Sequence, residues 1–203
     1  MTPLFATADM IDFVDNGRTT IDKSDENNWL EWLDLTETLA RSYNDVSTDL
    51  LDGHVDLDGT DVVLETGWRY ATADEVAAMF NSFFSDPDPI VNNMSGIVAL
   101  PEATAFLDLF GDTFAASFNL QGQFWSYGIT GTEADGNSSA RQATYVSPFE
   151  GGAFNTSWLF SDNVQQADGG SWLVRNVQEV PEPSTFVLLL AGVVFAARRA
   201  IQG

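Results

Sequence analysis

Polar and apolar positions change period several times along the chain, and each change marks an element. Residues 9–22 open with the alternating Ile11-Asp12-Phe13-Val14, pass through Asp15-Asn16-Gly17 and resume with the β-branched Thr19-Thr20-Ile21. This is the pattern of a β-hairpin. Trp29-Leu30-Glu31-Trp32-Leu33-Asp34-Leu35 packs two Trp into a short run and predicts a third strand or extended core segment. Leu39, Tyr43, Val46 and Leu50 then recur every three or four residues, which predicts an amphipathic helix over 36–51. A second helix should begin after Thr72, because Thr72-x-x-Glu75 is a capping-box pattern ahead of the apolar face Val76, Met79, Phe80 and Phe83. A third spans 101–110, with Pro101 in its first turn and Gly111 just past its end.

Beyond residue 120 the pattern is that of strands. Residues 121–129, with Phe124, Trp125 and Tyr127, read as a strand; 131–139 as a polar loop; 140–146 as a strand; 148–155 as a Gly-rich loop. Trp158-Leu159-Phe160 and Trp172-Leu173-Val174 are the last apolar pieces before the tail. The aromatic residues of these strands are first of all core candidates; the lesser alternative is a platform on which sugar rings stack. Together the elements predict an α+β body over 9–178, with two or three helices against twisted antiparallel strands.

Residues 179–203 form a separate unit. Val180-Pro181-Glu182-Pro183-Ser184-Thr185 precedes an apolar run over 186–197, which ends at Arg198-Arg199. Each proline fixes φ and removes a backbone donor, and Glu182 is pushed extended by Pro183. The motif therefore presents an open strand suited to a protease or transpeptidase groove. Eight of the twelve residues in 186–197 are Phe, Val or Leu, and none is charged. As a helix the run is about 18 Å long against a hydrocarbon core of about 30 Å, so it needs Ser184, Thr185 and the snorkelling arginines to approach a span. In a chain with a single Lys, two adjacent Arg after the long apolar run match the positive-inside pattern. The expected tail is thus a single transmembrane helix with its basic end in the cytoplasm.

Composition narrows the function. The net charge is −22, so phosphate backbones would be repelled and nucleic acid is no expected partner. With no Cys there is no disulfide, thiolate nucleophile or thiolate-bound metal. Met1 to Asp9 lacks the basic and apolar segments of a leader, yet Ala6-Thr7-Ala8 is similar to the end of one; residues 1–8 are read as a signal-peptide remnant whose true start lies upstream.

Two local patterns raise other chemistry. Counted from His54, Asp56, Asp58, Gly59 and Glu65 fall at places three, five, six and twelve of a calcium loop. His54 is a poor first ligand, so an acidic loop leading into the strand at Val62 is the competing reading, with calcium the one cofactor in view. His54 is the sole His, and nothing places a Ser beside it for a triad. Trp68 and Arg69 stand before the capping box; Arg69 either pairs with a carboxylate and orders the helix start or binds a ligand.

The tail resembles the PEP-CTERM sorting signal of exopolysaccharide-producing Gram-negative bacteria. The resemblance implies an exosortase as partner, a transient inner-membrane anchor, processing at Val180 to Thr185, and release to the cell surface or beyond. Its departures are a short apolar run and four residues after the Arg pair. The Trp29, Trp68-Arg69 and Ser171-Trp172-Leu173-Val174-Arg175 motifs resemble the body of one group of such proteins. They are similar, more distantly, to the DUF1566 or collagen-like-protein C-terminal domain, which implies a C-type-lectin-like fold. The expected protein is a non-enzymatic component of the envelope or extracellular matrix, associated with exopolysaccharide in a biofilm. The alternatives are a lectin-like carbohydrate-binding module and a hydrolase using carboxylates such as Asp56 and Glu65.

Overall fold

The structure, a computed structural model, describes residues 12–52, 55–57, 60–62, 67–84, 95–97, 100–114, 125–134, 136–147 and 152–177. Among them are three helices, α1 (Tyr43–Asp52), α2 (Ala73–Phe83) and α3 (Leu100–Phe110), and two five-stranded sheets.

The first sheet contains the predicted hairpin. β1 (Phe13–Asp15) and β2 (Thr19–Asp22) pair antiparallel, with Phe13 opposite Asp22. Gly17 takes the turn at φ +87, and Asp15 accepts its N–H at 2.7 Å. β3 (Leu30–Leu33) follows on β2, with Thr20 opposite Trp32. Beyond β3 the sheet continues to β12 (Leu173–Asn176) and then to β6 (Arg69–Tyr70), so the last described strand is held on both edges.

The second sheet runs β11 (Gly170–Ser171), β8 (Ser126–Ala134), β9 (Asn137–Ser147), β10 (Gly152–Ser161) and β7 (Ser95–Ile97); β11 alone pairs in parallel. Two expected loops are strands here. The stretch 131–139 is the tip of a hairpin in which Ala134 pairs with Asn137 and Gly136 sits at φ +74. The second half of 148–155 belongs to β10, where Gly152 pairs with Ser147. In both places small and polar residues accept extended geometry because a neighbouring strand supplies the hydrogen bonds.

Trp172 joins the sheets. It lies between β11 and β12, accepts Ala71 N–H at 2.8 Å and donates its own N–H to Ile129 at 2.9 Å. Its indole is fully buried and donates to Thr144 Oγ1 at 2.6 Å. Around it stand Trp32, Phe80, Phe106 and Phe110, with ring centroids 5.9–6.2 Å away. The predicted face of α2 and the inner face of α3 supply this core, each buried ring contributing roughly 1.5–3 kcal/mol.

The helix expected over 36–51 is two elements. Leu35–Thr38 is a 3-10 turn, Ala40 takes φ +56, and α1 starts at Tyr43. The cause is local capping. Ser42 Oγ accepts Asp45 N–H at 3.2 Å, while the Asp45 carboxylate accepts Ser42 N–H at 3.1 Å. That reciprocal pair starts a helix at this point, and the preceding turn packs separately. Val46 remains the buried anchor of α1, against Leu33 and Leu173. Helix α2 begins after Thr72 as expected, α3 covers its expected span 101–110, and Gly111 ends α3 at φ +92.

Among the described residues no helix is long and apolar enough to cross a membrane. The apolar run 186–197, expected to be the transmembrane helix, lies outside them. The α+β class with three helices and antiparallel pairing stands as expected; the C-type-lectin-like assignment has no counterpart in these observations.

A candidate binding pocket on the outer face of the second sheet

Strand alternation gives the second sheet two faces. Gly128, Thr144 and Val146 face the helices: Thr144 holds the Trp172 indole, and a Cβ on Gly128 would lie 2.5 Å from that ring. Tyr127 and Tyr145 sit directly opposite each other on β8 and β9 and point to the other side. They are joined there by Trp125, just before β8, and Phe160 on β10, whose ring meets Tyr127 edge-on at 5.5 Å. These four aromatic residues wall a half-open cavity of about 170 Å³.

Polar groups close its rim. Ser147 extends the Tyr145 face by two positions, while Gln166 and Asp168 come from the segment between β10 and β11. That segment is pinned at both ends. Asp162 receives the Arg141 guanidinium at 3.0 and 3.1 Å, and both side chains are about seven-eighths buried. At the other end Gly169 lies so close to Tyr127 that a Cβ would stand 2.7 Å from its ring. Between the pins Gln166 Nε2 donates to Asp168 Oδ1 at 2.7 Å, orienting both groups.

Tyr127 forms the floor. Its backbone N–H donates to Thr113 Oγ1 at 3.1 Å, and its hydroxyl is buried with no hydrogen-bond partner among the described residues. Burial first, and then the Asp168 carboxylate, pushes the phenol far above the ordinary tyrosine range, so it stays neutral. The cavity thus offers apolar ring faces beside a hydroxyl, an amide and a carboxylate. That mixture can hold a small ligand with both C–H faces and hydroxyl edges.

The residues singled out from sequence fall elsewhere. Trp68 stacks under the Arg175 guanidinium at 4.9 Å, and Arg175 in turn pairs with Glu31. Arg69 donates twice to Glu75, at 2.6 and 2.8 Å, and the same carboxylate closes the Thr72 capping box. The first contact ties Trp68 to β12 and β3, and the second sets Arg69 at the start of α2. Asp56 lies on β4 (Val55–Leu57), opposite Asp61 on β5 (Thr60–Val62), in a two-stranded hairpin. Asp58 and Glu65, the other expected calcium ligands, and His54 lie outside the described residues. Among the described residues no group of three or more His, Asp or Glu is placed to hold a metal. Val180, Pro181, Glu182, Pro183, Ser184, Thr185, Arg198 and Arg199 also lie outside them.

Sequence reasoning flagged Trp125, Tyr127 and Phe160 as aromatics for a core or a platform, and missed Tyr145, Ser147, Gln166 and Asp168. Tyr145 could have been found by counting alternation in 140–146. Gln166 and Asp168 carry no signal beyond a polar loop.

Residues 179–200 match the family model described as the PEP-CTERM protein-sorting motif. The match supports exosortase-dependent sorting of an exported protein, with C-terminal membrane anchoring before processing. No curated protein and no solved structure matches the chain, and the resemblance of the body to the DUF1566 or collagen-like-protein domain finds no support.

Proposed function

We propose that this chain is a non-catalytic envelope or extracellular-matrix protein, delivered through its tail and associated with exopolysaccharide. The match at 179–200 carries the reading. On this route the run 186–197 inserts in the inner membrane and Arg198 and Arg199 stay on the cytoplasmic side. Val180 to Thr185 is then presented to the exosortase at the outer face. An extended, donor-poor segment with one carboxylate fits that role, since it cannot fold back into helix and leaves its backbone open to a groove.

The absence of catalysis is part of the proposal. Glycoside hydrolysis uses two carboxylates about 5–10 Å apart, and among the described residues the cavity lining contains one, Asp168. Binding therefore suits the pocket better than hydrolysis. Mass spectrometry of the surface and secreted fractions tests the route: a mature C-terminus near Pro183 is expected. The intact Arg198-Arg199 end recovered from the medium would refute processing.

A further inference from the structure

We propose that the cavity between Tyr127, Tyr145 and Asp168 binds one residue of a neutral carbohydrate. The choice of polymer rests on the exopolysaccharide reading above; the site itself does not. The first argument is placement. A sheet face turned away from the helices is ordinarily polar, yet this one gathers four aromatic rings, three of them only partly buried. Exposed aromatic surface of this kind is a standing cost unless something covers it.

The second argument is construction. The rim groups are fixed before any ligand arrives, through Arg141–Asp162 at one end of the loop and the Gly169–Tyr127 contact at the other. Such pinning lowers the ordering cost of binding. The third is chemistry. A sugar ring presents C–H faces to aromatics and hydroxyls around its edge. Tyr145 and Trp125 offer the faces. The Asp168 and Gln166 oxygens can accept from hydroxyls, and the second Gln166 N–H can donate to them. A carboxylate at the rim and a net charge of −22 disfavour uronic acids and phosphorylated sugars. At about 170 Å³ the cavity is smaller than the several hundred Å³ typical of drug-sized sites, which suits one ring with the chain running out through the open side.

A quaternary ammonium ion is the other ligand that aromatic walls and a carboxylate attract. It cannot use the Gln166 amide at the rim, which a sugar's hydroxyl edge can.

The test uses the full chain in a polyoxyethylene detergent, which carries no sugar. Saturation-transfer NMR is recorded with methyl glycosides of glucose, galactose, mannose and N-acetylglucosamine and with their disaccharides. At least one should show transfer. Trp125→Ala should weaken it ten-fold or more, Asp168→Asn several-fold, and Trp29→Ala, which removes a ring remote from the pocket, not at all. Near-UV circular dichroism identifies any variant that fails to fold, and Asp168→Asn keeps the test open if Trp125→Ala does. No transfer from any glycoside, undiminished transfer in folded variants of both pocket positions, or displacement of the sugar by millimolar tetramethylammonium would each overturn the proposal. An uncut tail with intact sugar binding would sink the sorting route alone; a processed tail without sugar binding would sink the pocket alone.

Discussion

Asp34 gives the sharpest test of how this acidic body holds its charge. It stands at the start of the 3-10 turn Leu35–Thr38, where a carboxylate ordinarily caps backbone N–H groups, yet its side chain makes no capping bond. Its Oδ1 is buried without a hydrogen-bond partner among the described residues. Burial is the largest cause that pushes its pKa up to about 7; the Glu37 and Asp15 carboxylates add to it, and the Arg18 guanidinium opposes them. Arg18 is committed to Glu37, to which its Nε donates at 2.8 Å. In the folded protein the Asp34 proton is therefore held until about neutral pH, whereas in the unfolded chain it leaves near the ordinary value of 3.8. The sign follows. Below about pH 4 both states are protonated and the folded state has its full advantage; as pH rises through 7 that advantage is lost. Three pKa units correspond to about 4 kcal/mol, which we reduce to about 1–3 kcal/mol because the group is partly open to solvent and screened. Asp34→Asn removes the ionisation and keeps the shape. At pH 8 it should raise the melting temperature by about 2–4 °C per kcal/mol recovered, and at pH 4.5 it should change little. Thermal melts of both proteins by far-UV circular dichroism at the two pH values make the measurement. An equal shift at both, or a loss at pH 8, would show that the fold does not raise the Asp34 pKa.

Four further substitutions probe the packing around the pocket and the core. Gly170→Ala places a Cβ 2.0 Å from the Leu35 carbonyl oxygen, a backbone atom that cannot step aside, so a loss of about 3 kcal/mol or more is expected in urea denaturation; an unchanged midpoint contradicts the packing. Thr144→Val strands the buried Trp172 indole N–H and should cost about 1–3 kcal/mol by the same measurement. Glu75→Gln weakens the Arg69 pair and the capping box, costing about 0.5–2 kcal/mol at pH 7. The Glu75 pKa is lowered, chiefly by Arg69, so its contribution is present above the ordinary carboxylate range and lost as pH falls; the two melting curves should converge in acid. Tyr127→Phe deletes a buried hydroxyl with no hydrogen-bond partner among the described residues and should stabilise the fold by about 1 kcal/mol; a loss instead would mean that a water satisfies it.

The elements legible in the sequence are those whose signals are local. The Asp15-Asn16-Gly17 turn, the Thr72 capping box and the Pro101-to-Gly111 helix need nothing from the rest of the chain, and each stands where expected. The break at Ala40 was missed because the spacing of Leu39, Tyr43, Val46 and Leu50 fits one helix as well as a turn followed by a helix. Ser42 and Asp45 decide between them. The strand character of 131–139 and of 152–155 was illegible for a different reason. Its hydrogen bonds come from partner strands, and polar or Gly-rich residues carry no intrinsic preference for that geometry. The pocket combines both limits. Trp125 and Tyr127 are conspicuous, but only the β8–β9 register brings Tyr145 opposite Tyr127. The Arg141–Asp162 pair at one end of its segment and the Gly169–Tyr127 contact at the other hold Asp168 over the same face.

The join between body and tail has a functional logic of its own. β12 is a central strand, bonded to β3 on one side and β6 on the other, and Trp172, Leu173 and Val174 are wholly buried. The last described backbone bond runs from Val177 N–H to the Trp29 carbonyl at 3.0 Å, and the matched sorting motif begins two residues later. Extended chain covers at most about 3.5 Å per residue, so the body stands within roughly 10 Å of Val180. On the proposed route a cut anywhere from Val180 to Thr185 removes none of the contacts that hold the sheet. Charge then acts on the two products differently. The tail carries two Glu and two Arg and is neutral, so the whole −22 belongs to the body. On the proposed route the body is tethered at the outer face, where anionic headgroups within the Debye length of about 8–10 Å would repel it. On that route cleavage would remove the tether and leave the repulsion, so the body's charge would favour its departure with the aromatic pocket already formed.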